Sequence, residues 1–257
     1  MSATAPARLK RAALAAALCT AAGLALTACG PLGALDGGTG EENTDSGPYA
    51  DLSGPEVLNR GLKATRTAKS LRLELTMRTA ADGPMKAYLA VNTKGDCAGT
   101  ISVGDSGTTE LIKTGDTVYT RFDEAMLRKE GEGRPKEETD AVVKMLLGKW
   151  VKDAAGGADA KDLVHFCDLD SYLDGFRAND NIARKAGEST VNDTPTLVLT
   201  ETYRDEKYTA HVATKGAPYL LRVQVAGGAE PMSLTFSEFN RPVPAEKPAA
   251  KDIADID

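Results

Sequence analysis

The chain has 257 residues, of which 42% are hydrophobic and 26% charged, and 31 Lys and Arg stand against 37 Asp and Glu for a net charge of −6. An acidic balance without a basic stripe excludes nucleic acid as a partner and excludes adhesion to anionic headgroups by net charge. Only two histidines, His165 and His211, are available as proton shuttles near neutral pH.

Residues 1–28 have the parts of a secretory signal. Arg8, Lys10 and Arg11 form a positive start, and Ala12–Leu26 is an apolar run of 15 residues. That is short of the ~20 residues a membrane-spanning helix needs. Leu26-Thr27-Ala28-Cys29 is similar to the lipobox of bacterial lipoproteins, where the cysteine sulfur takes a diacylglycerol and the chain is cut before it. The resemblance implies lipidation of Cys29 by palmitate-type chains. It also implies an extracytoplasmic protein anchored to the outer leaflet of the cytoplasmic membrane. Each buried CH₂ of such an anchor contributes ~0.8 kcal/mol. Without residues 1–28, 28 Lys and Arg face 37 Asp and Glu, a net charge of −9, so the acyl anchor alone must hold the chain at a membrane.

Residues 29–50 are then the lipidated cysteine and a Gly-rich flexible tether, about 25 Å in root-mean-square length. The folded domain is expected over 51–245, with 246–257 as a C-terminal tail. Cys19 leaves with the signal and Cys29 carries lipid, so Cys97 and Cys167 remain in an oxidising compartment and are expected to form a disulfide.

A capping-box pattern at Ser53-Gly-Pro-Glu56, with Leu52 and Val57 placed as a staple, predicts a helix running to about Lys69. The period then changes. Leu71, Leu73, Leu75 and Met77 alternate with Arg72, Glu74, Thr76 and Arg78, which predicts a strand with one dry face. After an Asp82-Gly83 turn the alternation repeats in Met85, Ala87, Leu89 and Val91. It returns in Cys97, Gly99, Ile101 and Val103, with further strands near 109–113 and 117–121. Residues 123–138, rich in charge and holding Gly131, Gly133 and Pro135, are expected to be an exposed, mobile loop and a candidate lid. Apolar helices are expected over Ala141–Leu147 and about 159–176, the latter with Leu163, Phe166, Cys167, Leu173 and Phe176 on one side. Strands resume near 190–191, 196–200, 207–214, 218–226 and 231–238. The order helix, strands, helices, strands predicts an α+β fold, a large curved antiparallel sheet with helices on one face.

No motif for catalysis emerges. Neither histidine belongs to an HExxH, a nucleophile elbow or a phosphate loop. Asp168 and Asp170 near His165 are better explained as helix-surface carboxylates than as metal ligands, and Asn192-Asp193-Thr194 as a hairpin turn than as a glycosylation site. The chain is therefore expected not to be an enzyme, and to need no cofactor and no metal. What remains is a continuous apolar face, which periodicity alone leaves open as either packed core or cavity.

The phrases "ADLSGPEVLNRGLKATRTAKSLRLELT", "LGKWVK" and "PYLLRVQV…MSLTFSEFNRPVPAEKP", behind a lipobox and tether, resemble the LppX/LprAFG family of actinobacterial cell-envelope lipoproteins, related in fold to LolA-type lipid carriers. The resemblance spans roughly 50–248. It implies a LolA-like half-barrel of antiparallel strands with helices on the concave face and a hydrophobic cavity for acyl chains of a membrane lipid or glycolipid. It thus implies lipid transport or envelope homeostasis. The expected cavity wall is Leu58, Leu62, Leu71, Leu73, Leu75, Met77, Leu89, Val91, Ile101, Val142, Met145, Leu146 and Phe166. The "GKW" phrase falls on Gly148-Lys149-Trp150. The alternative is a non-enzymatic envelope interaction or sensing module with a filled core.

Overall fold

In the computed structural model the described residues are 47–79, 83–157, 160–174 and 183–255. The signal, Cys29 and the tether through residue 46 lie outside them, as do Asp82 and Phe176.

The first helix, α1 (Gly54–Arg66), starts as its sequence dictates. The Ser53 hydroxyl accepts from the Glu56 amide, and the Glu56 carboxylate accepts from the Ser53 amide at 2.7 Å. Both partners satisfy N–H groups that a helix start leaves without a partner. The helix ends at Arg66, with Thr67 as its cap.

Two runs of strands follow, separated by helices. The first comprises β1 (Ser70–Thr79), β2 (Gly83–Asn92), β3 (Cys97–Val103), β4 (Gly107–Thr114), β5 (Thr117–Phe122) and, after a helical excursion, β6 (Val151–Ala154). The second comprises β7 (Arg184–Val191), β8 (Thr194–Tyr203), β9 (Glu206–Ala213), β10 (Leu220–Gly227) and β11 (Met232–Ser237). Pairing of β1 with β11 fuses the two runs into one 11-stranded antiparallel sheet, in the order β6-β5-β4-β3-β2-β1-β11-β10-β9-β8-β7. The sheet is curved and open, with β6 and β7 as its edges.

Residues 123–138 are not a loop. They form α2 (Glu124–Glu130) and the start of α3 (Lys136–Leu146). Asp123 caps α2 by accepting from the Met126 amide at 2.8 Å, and Arg128 bridges Glu124 and Asp140 at 2.8 and 2.9 Å. Gly131 and Pro135, read as loop residues, are instead the end of one helix and the beginning of the next. The single helix expected over 159–176 is divided into α4 (Lys161–His165) and α5 (Leu169–Asp174). Asp168 makes the division, because its carboxylate accepts from the Asp170 amide at 3.0 Å and from the Ser171 hydroxyl at 2.7 Å, which opens a new helix.

The outer face of the sheet is polar but not uniformly wet. His211 is buried there, opposite Arg222 and Val198 in the register, with its Nδ1 3.4 Å from the Thr196 hydroxyl. Burial, and then the Arg222 charge, lower its pKa below the ordinary value. An unfolded chain with a histidine near pH 6.5 therefore binds a proton that the folded chain resists. Stability is full above about pH 6.5 and declines as pH falls below it. The unfolding midpoint is expected to drop between pH 7 and 5.5, above the carboxylate range, and His211→Gln should flatten that slope. Thermal unfolding of both proteins across this window is the check.

Candidate functional site

The concave face is built by register. Leu71, Val91, Cys97, Lys113 and Val118 form one row across β1 to β5, and Leu73, Leu89, Gly99 and Leu111 the next. A third row is Leu75, Ala87, Ile101 and Thr109. Across the β1–β11 seam, Leu234, Val223, Ala210 and Leu199 continue the surface. One buried apolar cluster thus receives side chains from nine strands, β1–β5 and β8–β11. Alternation puts every second residue on this face, so each strand adds to it without an apolar run.

Three helices cover it. α1 contributes Val57 and Leu62, and the α4–α5 layer contributes Cys167, Leu169 and Leu173 with Leu163 and Phe166 at the margin. The hydroxyl of Tyr172 donates to the Phe166 carbonyl at 3.4 Å, and burial, then the Asp168 charge, push its pKa up, as expected of a dry layer. Cys97 and Cys167 are joined by a disulfide with 5.5 Å between their Cα atoms. It ties the first residue of β3 to the junction of α4 and α5.

Of the residues expected as cavity wall, Leu62, Leu71, Leu73, Leu75, Leu89, Val91 and Ile101 lie in this cluster, with Leu58, Met77 and Phe166 half-buried at its edge. Val142, Met145 and Leu146 do not join them. Helix α3 rests on α2 with Thr139 and Val143 as its buried residues, and Met145 is 50% exposed. The apolar run of α3 read as one wide face because Val143, which makes the contact, sits among residues that flank it.

The layers interlock where they meet most fully. Leu73, Leu89, Leu111, Leu173 and Leu234 have 0% exposure, so no water-sized gap borders those side chains. Two half-open clefts bordered by described residues lie at the periphery. One of 380 Å³ runs between the β2–β3 turn and the α4–α5 junction, beside Lys94, Lys113, Cys167 and Asp168. The other, of 330 Å³, lies beside the stacked rings of Tyr219 and Phe239, 3.9 Å apart.

A contact that sequence reasoning missed involves the phrase "GKW". Trp150 is buried beneath the Arg121 guanidinium, 4.6 Å from the ring. Its amide donates to the Asp252 carbonyl, and its carbonyl accepts from the Ala254 amide, both at 2.8 Å. Residues 250–254 of the expected tail therefore lie along the start of β6. The only signal was the apolar Ile253 in a polar segment. Among the described residues no three His, Cys, Asp or Glu gather as metal ligands, and no helix is long and apolar enough to cross a membrane.

No family model matches the chain, and no curated protein does. Solved structures do. LprF from Mycobacterium bovis superposes with a TM-score of 0.52 at 15% identity, covering 77% of this chain and 97% of its own. The Mycobacterium tuberculosis lipoprotein LppX gives 0.49 at 15% identity over 75% and 98%. A LolA-superfamily protein from Nitrosomonas europaea gives 0.25 at 9% identity over 75% and 96%. The fold is that of LprF, the α+β half-barrel implied by the sequence phrases.

Proposed function

We propose that this chain is a non-enzymatic lipoprotein, tethered through Cys29 to the outer face of the cytoplasmic membrane, that houses acyl chains of a membrane lipid or glycolipid against the concave face of its sheet. The observation that supports this reading most is the disproportion between the apolar face and its cover. Nine strands feed one cluster, while beyond the 13 residues of α1 the cover is two helices of five and six residues. Helices so short are marginal on their own and are held by packing, so they can be displaced without unfolding the sheet.

Moving a chain from bilayer to this face exchanges one apolar setting for another, which keeps the net free energy small and the transfer reversible. Exposure to water between the two costs ~0.8 kcal/mol per CH₂. A tether that keeps the domain at the bilayer shortens that passage. Because the inner side chains are sealed, acyl binding on this reading requires α4 and α5 to part from the sheet, with the disulfide as the hinge side.

The test is titration of the unacylated domain, carrying Cys29→Ser, with the fluorescent fatty acid cis-parinaric acid. Saturable binding is expected. Met77→Trp at the edge of the cluster should weaken it, whereas Met145→Trp on α3 should leave it unchanged. Absence of saturable binding contradicts the proposal. One observation favours a second reading, an envelope interaction module with a filled core: the 0% exposure of the inner leucines. That reading expects no binding of the fatty acid at all.

A further inference from the structure

Helix α3 carries more apolar residues than its packing uses. Thr139 and Val143 are its buried residues, and none of Val142, Met145, Leu146 and Leu147 belongs to the inner cluster. Val142 and Leu146 are partly exposed, Met145 is 50% exposed and Leu147 48%. Among the described residues four large apolar or aromatic side chains stand 42–52% exposed, and only Met145 and Leu147 lie together in sequence. The other two, Tyr88 and Tyr203, carry hydroxyls that water can bind. Apolar side chains gathered at one exposed corner mark a contact surface.

The corner is held in a fixed shape. The Leu147 amide donates to the Val143 carbonyl at 2.9 Å, and the chain turns at Gly148, whose φ is +77°. The Lys149 amide then donates to the Leu146 carbonyl at 2.9 Å, and its ammonium to the Lys251 carbonyl at 2.9 Å. Lys144 and Lys149 flank Met145–Leu147, whereas the acidic Glu137 and Glu138 stand in the first turn of α3. A lysine has an apolar stem and a charged head, which suits a surface whose hydrocarbon lies beneath a layer of phosphates.

The size of the patch and the length of the tether choose its occupant. Four partly exposed side chains present far less than the ~800 Å² per partner of a stable protein interface. A bilayer, by contrast, takes up a few apolar side chains at its headgroup boundary. Gly47, the first described residue, lies 18 residues beyond Cys29. A chain of that length reaches at most ~60 Å, against a radius of gyration of ~17 Å for a domain of this size. Such an anchor keeps the domain at the membrane and leaves open which surface faces it.

We propose that Met145 and Leu147, with Val142 and Leu146 beside them, enter the bilayer interface and so orient the anchored domain. Lys144 and Lys149 then stand at the level of the phosphates. The inference rests on the membrane-tethered reading. Its contact is hydrocarbon, so neutral phosphatidylcholine is enough and the acidic net charge is no obstacle.

For the test, the chain 29–257 is coupled through its Cys29 thiol to a maleimide phospholipid in phosphatidylcholine vesicles. Cys97 and Cys167 are occupied by their disulfide. Quenching by phosphatidylcholine brominated on its acyl chains is read from Leu147→Trp, with the buried Trp150 of the unaltered chain as baseline. The added indole is expected to lose roughly half of its emission or more, as an inserted side chain does, and Tyr88→Trp or Tyr203→Trp almost none. Met145→Asp in the Leu147→Trp chain should abolish the quenching. It should leave the thermal midpoint and the binding of cis-parinaric acid in place, because the side chain is half exposed and outside the cluster. Quenching of Leu147→Trp no stronger than that of Tyr203→Trp, or quenching that survives Met145→Asp, overturns the proposal. Sedimentation of the uncoupled chain tests a second copy as occupant: a dimer that Met145→Asp disperses overturns the proposal as well, and a monomer upholds it. The coupled chain carries its own anchor, so a native chain found without acyl groups would remove the tethered reading and leave this result standing.

Discussion

Replacing Cys97 and Cys167 together by serine is expected to lower the unfolding midpoint by roughly 8–16 °C. The two residues are 70 apart in sequence, so the disulfide removes the closure entropy of a long loop from the unfolded chain. In the chain-entropy account that contributes ~4 kcal/mol, and a domain of about 200 residues shifts by ~2–4 °C per kcal/mol. Both sulfurs are also buried in the apolar cluster, with Cys97 at 0% exposure, so two serine hydroxyls there meet few partners and add to the loss. The effect on binding should run the other way. With the α4–α5 layer no longer fastened to β3, association of a fatty-acid probe should become faster. Calorimetry of the oxidised and double-serine proteins measures the first effect, and stopped-flow fluorescence the second. A midpoint change under ~2 °C would contradict the assignment of the disulfide as the main fastening of the helical layer.

The second large effect is expected at Gly99, which stands between Leu89 and Leu111 in the middle row of the concave face. A Cβ there would lie 1.9 Å from the Tyr88 carbonyl oxygen and 2.9 Å from the Cδ2 of Leu89. The side chain of Leu89 occupies the space that Gly99 leaves. The oxygen belongs to the backbone of the paired strand and cannot turn aside, so β2 and β3 would have to separate at the centre of the sheet. Gly99→Ala should therefore cost at least ~3 kcal/mol, the upper end of the range for overpacked cores. Gly156→Ala, which meets nothing within 4 Å, should change stability by less than ~0.5 kcal/mol. Equilibrium unfolding in urea compares the two, and equal stability of the variants would show that the inner layers are looser than the geometry states.

How far the residues themselves foretold this structure depends on the range of the interactions that decide each element. The capping box at Ser53 and Glu56 and the alternation of β1 to β3 are set by neighbours two to four positions apart, and both were legible. So was a large curved antiparallel sheet with helices on one face, because alternating strands joined by tight turns leave few other arrangements, whereas the half-barrel came only from the family resemblance. Residues 123–138 misled because glycine and proline serve both as loop formers and as helix boundaries, and here Gly131 and Pro135 are boundaries. The break at Asp168 was hidden because a carboxylate inside an apolar pattern reads as a solvated helix surface rather than as a cap. Which apolar helix covers the sheet was not legible at all. The sequence of α3 is as greasy as that of α5, and only the contact of α3 with α2 separates Val142, Met145 and Leu146 from the cluster. The pairing of Trp150 with residues 252–254, a hundred positions away, had no local cause to read.

The account turns on whether hydrocarbon from the bilayer enters between the sheet and its short helices. Native mass spectrometry of the full-length protein, purified undenatured from its own membrane, tests this most directly. The expected spectrum shows the chain with its covalent anchor plus one further lipid in near-stoichiometric amount, lost when Met77→Trp narrows the edge of the cluster. A spectrum holding only the anchored chain, unchanged by that substitution, would contradict it.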